Sequence, residues 1–98
     1  MAIGDVFGAM AQKNQNEYLD IQPSVGQECV IHTIYHENGC ELYLTDGSVE
    51  FKFDSDESGG VWYGLTLHVT NDLYVRIKQT NASASYVGYD GIETSPAS

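Results

Sequence analysis

Three histidines (His32, His36 and His68) and two cysteines (Cys29 and Cys40) are the residues of this 98-residue chain best suited to hold a metal or attack a substrate. Their spacing denies them a shared task. His32 and His36 fall on one face of an extended run, but four residues of strand separate them by about 13 Å, too far for a common ion. His68 could approach either only across a second layer, with no thiolate or carboxylate pinned beside it. Serine, histidine and aspartate all occur, yet no nucleophile elbow or glycine-rich strand-to-helix turn does. The chain therefore reads as a non-enzyme without a cofactor. One constellation is closer to a motif: Asp54, Asp56, Ser58 and Gly59 match the opening of a calcium loop, where alternate oxygens converge on a hard cation. The twelfth position, which should supply a bidentate acid, is Leu65, so the stretch reads as a solvated acidic connection and no metal ligand is assigned.

The elements that would carry these side chains are strands. In Cys40 to Phe53 two alternating runs flank Asp46-Gly47, a dipeptide that supplies the positive φ of a type I′ hairpin turn. A two-residue loop there sets Leu44 opposite Val49, Leu42 opposite Phe51 and Cys40 opposite Phe53, with Tyr43 and Glu41 on the other face. Asn38-Gly39 is a second such signal. It would join Glu28 to His36 onto the hairpin as a three-stranded meander, with Phe51 and Leu42 as buried neighbours and Cys29 too far along its strand to reach Cys40. Both cysteines are thus expected as free thiols. Tyr18 to Gln22 stops at Pro23 and reads as an edge strand. Val61 to Thr70 pairs with Leu73 to Thr80 through a three-residue turn, and Ser85 to Tyr89 is the last strand. About seven short strands with turn signals every 8 to 12 residues describe an all-β chain, a compact antiparallel β-sandwich or small jelly roll.

Residues 1–17 differ. Ile3, Val6, Phe7 and Met10 recur at helical spacing, a stripe too short to fold alone, and a polar linker follows. The expected organisation is an N-terminal arm and linker over 1–17 that docks its four apolar side chains on a partner, a β-sandwich domain over 18–93 and a flexible tail over 94–98. Fourteen acids against four Lys+Arg give a formal net charge of -10, which repels phosphate backbones and anionic lipid, so nucleic acid and membrane are poor partners. No apolar run approaches the ~20 residues of a bilayer span, and the first ten residues lack the pattern of a signal peptide, so the expectation is synthesis in a cytoplasm. Seven tyrosines and Trp62 suit an interface or a sugar-stacking platform, with Tyr43, Trp62 and Tyr74 the candidate surface aromatics.

Gln22-Pro23-Ser24-Val25-Gly26, Cys29-Val30-Ile31-His32, Leu42-Tyr43-Leu44 before Asp46-Gly47, and Tyr89-Asp90-Gly91 together give a chain that resembles the small accessory virion proteins of tailed bacteriophages, those that decorate or cement the capsid. The resemblance covers residues 18–93 as a pattern of turns and strands and carries over no binding residue individually. It implies a structural virion subunit, often a homotrimer, made in the host cytoplasm and seated on the outer surface of the phage head, where it clamps neighbouring major capsid proteins. A carbohydrate-binding or receptor-recognition β-sandwich module is the alternative.

Overall fold

The computed structural model describes residues 4–95, and among them nine strands and no helix. They are β1 (Val6–Lys13), β2 (Tyr18–Ile21), β3 (Glu28–His36), β4 (Cys40–Thr45), β5 (Glu50–Asp56), β6 (Gly60–Trp62), β7 (Leu67–Thr70), β8 (Tyr74–Gln79) and β9 (Ser85–Ser95). One sheet runs β1-β9-β3-β6 with β7 also on β3; the other runs β2-β8-β4-β5. Every pairing is antiparallel. The two-sheet sandwich expected from alternation and turn spacing is therefore the architecture. Its core is the inward rows of both sheets: Ile31, Ile34, Val69, Val87 and Cys29 from the first, Ile21, Val75, Ile77, Leu42 and Cys40 from the second.

The N-terminal reading is corrected. Val6 to Lys13 is no helix: it lies along β9 in eight consecutive register pairs, from Val6 opposite Ile92 to Lys13 opposite Ser85. Two glycines weaken a short helix, whereas a strand beside β9 satisfies every second main-chain group with a partner already in place. Gly8 is required there, since a Cβ would stand 2.6 Å from the Tyr89 carbonyl oxygen. Strand alternation then divides the supposed stripe. Phe7 turns inward onto Tyr89, with ring centroids 5.7 Å apart, while Val6 and Met10 face out and are 75% and 65% exposed. Ile3 lies outside the described residues. The C-terminal boundary moves as well: Glu93 is fully buried, Thr94 donates its hydroxyl to the Glu28 carbonyl, and both belong to β9.

The three-stranded meander is corrected too. β3 and β4 belong to different sheets, so Asn38-Gly39 is a corner between layers and Gly39 does not take the positive φ of a type I′ turn. Side chains hold that corner: Asn38 Nδ2 donates to Ser85 Oγ at 2.7 Å, His36 Nδ1 lies 3.0 Å from the Asn38 carbonyl oxygen, and the Glu37 N–H bonds the Tyr86 carbonyl. The expected pairing of β7 with β8 fails for the same reason. β7 pairs with β3, and Thr70 Oγ1 accepts from Asp72 and Leu73 N–H to turn the chain into the second sheet. The strand expected over Val61 to Thr70 is cut in two by Gly64, whose φ is +63°. Cys29 and Cys40 are free and buried, one in each sheet; burial pushes their thiols up to about 11 and about 12.

Candidate protein-docking cleft

The hairpin of β4 and β5 forms as expected in kind but not in register. Gly47 has a φ of +96°, and Asp46 Oδ1 accepts from Ser48 and Val49 N–H, so the turn takes four residues instead of two. Thr45 Oγ1 closes it by donating to the Val49 carbonyl and accepting from Gly47 N–H. The bonds from Val49 and then Ser48 hold the Asp46 carboxyl below its ordinary range, so it stays charged. The longer turn slides the register by two, which keeps the faces and changes the partners. Leu44 now lies opposite Phe51 and Tyr43 opposite Lys52; a bulge at Leu42/Tyr43 then puts Leu42 opposite Asp54 and leaves Phe53 between.

The opposite sheet does not reach over β5, and the apolar side chains of that edge strand are left largely uncovered. Phe51 and Phe53, expected in the core, are 66% and 37% exposed, and Val49 beside the turn is 68% exposed. Every residue of β5 but the last is exposed. Beneath Phe51 and Phe53 lies an open cleft of about 270 Å³, floored by Leu44 and Val75 and closed on its far side by Thr66, Leu67, His68 and Leu73. A shallower groove continues it past Leu44, Phe51 and Leu73 to Val49, with Asp46 and Glu50 at its rim. None of the four basic side chains lines either groove. β5 pairs with β4 alone among the described strands, so its second edge is free. The arrangement is an apolar cleft with Thr66 and His68 as its polar lining. It can bury the apolar surface of another chain and bond its backbone.

The remaining candidate residues are placed differently from expectation. Trp62 is half-buried, stacked 4.5 Å from the His36 ring against the core, and Tyr74 is a core residue, so neither is a surface platform. Tyr43 lies on the outer face of the second sheet, edge-on to Tyr18 at 6.2 Å. Its hydroxyl donates to Glu41 Oε1 at 2.6 Å, and that bond, with burial, pushes Tyr43 up to about 12. The Tyr18 ring is covered by Arg76 at 3.9 Å, and Arg76 is clamped by Asp20 at 2.7 Å and Glu50 at 2.6 Å. This face is therefore a set of satisfied pairs rather than an open stacking surface. The histidines are scattered: His36 is buried near Asp56 (3.7 Å), His68 borders the cleft, and His32 is exposed on β3. In the acidic stretch, Asp54 Oδ1 accepts from Ser55 N–H and Asp56 Oδ1 from Ser58 N–H, each carboxylate bonding its own backbone. Alternation marked Val49, Phe51 and Phe53 as one face; the opposing wall at Thr66–His68 carried no signal, because it depends on which strand β7 joins.

No protein-family model matches this chain, and comparison with curated proteins finds no similar sequence.

Proposed function

We propose that this chain is a structural docking subunit that attaches to another protein through the cleft under β5, and that its setting is the one its resemblance implies, the outer surface of a phage head. The observation that carries the reading is the Val49-Phe51-Phe53 face. Apolar side chains on an otherwise acidic sandwich are left uncovered where a partner could complete the layer. A net charge of -10 suits the outer side of a shell, away from packaged nucleic acid. In the role of a decoration or cement subunit the chain would clamp neighbouring major capsid proteins, and as a homotrimer it would multiply a modest contact through effective concentration. Val6 and Met10, outward on β1, offer a second contact surface on the opposite sheet.

The carbohydrate-binding alternative draws support only from Tyr63 and Tyr86, the tyrosines left well exposed, since Tyr18, Tyr43, Trp62 and Tyr74 are covered or packed. Co-sedimentation with capsids assembled without the protein, set against a glycan array, separates the two. Saturable decoration of capsids and a blank array are expected. Glycan binding with no capsid binding would reverse the order of the two readings.

A further inference from the structure

Resting on that docking reading, we infer that the occupant of the cleft is an extended segment of the partner, added as a strand along the free edge of β5, with a short apolar run flanked at both ends by Lys or Arg. The free edge supplies the main-chain bonds. Between Asp46 and Asp54 that edge runs from Glu50 to Phe53, four residues or about 13 Å of strand, since the Val49 N–H and carbonyl are taken by Asp46 and Thr45 in the turn. The apolar row from Val49 through Phe53 supplies the register, since every second side chain of an added strand would fall over the cleft beside Phe51 and Phe53. Charge supplies the flanks. Asp46, held ionised by its own turn, stands at one end of the run, and the exposed Asp54 stands at the other. The only base on β5, Lys52, is already turned to Glu41 at 3.5 Å. A strand with basic ends meets acids at both, while one with acidic ends is repelled.

A second copy of this chain does not offer those flanks: its own run from Val49 to Phe53 lies between Asp46 and Asp54, and each body carries a net charge of -10.

The test uses the full chain and three blocked nine-residue peptides. One is Lys-Lys-Val-Thr-Val-Thr-Val-Lys-Lys, one has proline for the central valine, and one has glutamate for every lysine. Amide hydrogen exchange and backbone NMR shifts are read at residues 50–53. The first peptide should bind at least tenfold more tightly than either control, slow exchange along β5, and lose that advantage against the Phe51→Asp variant. Equal binding by the proline peptide, or tighter binding of the lysine peptide by Phe51→Asp, would show mere charge attraction and overturn the inference. If no peptide binds while the chain still decorates capsids, the strand occupant is wrong and the docking reading stands. If capsid binding fails as well, the docking reading has failed with it.

Discussion

A single row of the second sheet contains both regimes of this molecule. Ile21, Val75, Leu44 and Phe51 lie side by side across β2, β8, β4 and β5. The first two are fully buried, Leu44 is half-buried, and Phe51 is 66% exposed. Residue type hardly changes along the row; what changes is the layer above it. β3, β9 and β7 roof the inner strands, and the roof ends at Leu67 before it reaches β5. Alternation therefore reports which way a side chain points, and only the second layer decides whether pointing inward means burial. On β8 the apolar row stabilises the fold, and on β5 the same kind of row is left uncovered.

The comparison can be broken most forcefully at the opposite edge. If β1 is part of the roof rather than an arm, removing residues 1–13 bares the long edge of β9 and strips Phe7 from Tyr89, and the thermal midpoint should drop by about 10 °C or more. An unchanged midpoint in a melting curve would return these residues to the status of a detachable arm. Next come two apolar positions in contrasting settings. Leu42→Ala, fully buried, should cost ~2–5 kcal/mol in denaturant unfolding, whereas Phe51→Ala should cost under ~1 kcal/mol. Equal losses would mean that the cleft is closed in solution. Gln79 offers a polar version: fully buried, its amide donates to the Lys13 and Ser83 carbonyls and its oxygen accepts from Asn81 N–H, so Gln79→Leu should cost ~1–3 kcal/mol by orphaning those groups.

The two thiols sharpen the comparison by pH. Each ionises near 9.0 when free of its surroundings and is raised by burial, to about 11 for Cys29 and about 12 for Cys40. Above pH 9 the unfolded chain sheds these protons and the folded one retains them. The stability they allow is complete below that pH and is lost as pH climbs toward 11 and 12, at about 1.4 kcal/mol per pH unit per thiol. Alanine at both positions should remove that alkaline slope, seen in unfolding curves between pH 8 and about 10.5. Native protein should resist alkylation, and denatured protein should take a label at both.

Much of this fold was legible in the residues. Alternation in Cys40–Thr45 and Tyr74–Gln79 identifies two strands and their inward faces, and Asp46-Gly47 identifies a hairpin. In Glu28–His36 it identifies the strand, but a register shift between Ile31 and Thr33 turns Ile34 and His36 inward where alternation from Cys29 and Ile31 expects Thr33 and Tyr35. What was not legible has a common cause. Asn38-Gly39 carries the chemistry of a tight turn, but Asn38 spends its side chain on Ser85, forty-seven positions away, and the turn becomes a corner. Val6, Phe7 and Met10 fit a helical period over so short a span that a strand fits equally well, and only β9 arbitrates. Gly91 could not have announced its role: a Cβ there would come within 2.0 Å of the Val30 carbonyl oxygen, a constraint set by a neighbour sixty-one residues earlier. The cleft was hidden for the same reason. Its floor is visible as an apolar strand, and its lack of a roof is a long-range fact.

The central claim is that the Phe51 face is spare surface for the fold and contact surface for a partner. Phe51→Asp tests both halves in one protein, by its thermal midpoint and by its occupancy on capsids assembled without the wild-type chain. The account expects a midpoint within about 4 °C of wild type, since the position is exposed, together with at least a tenfold loss of occupancy. Wild-type occupancy by a well-folded Phe51→Asp protein would contradict it.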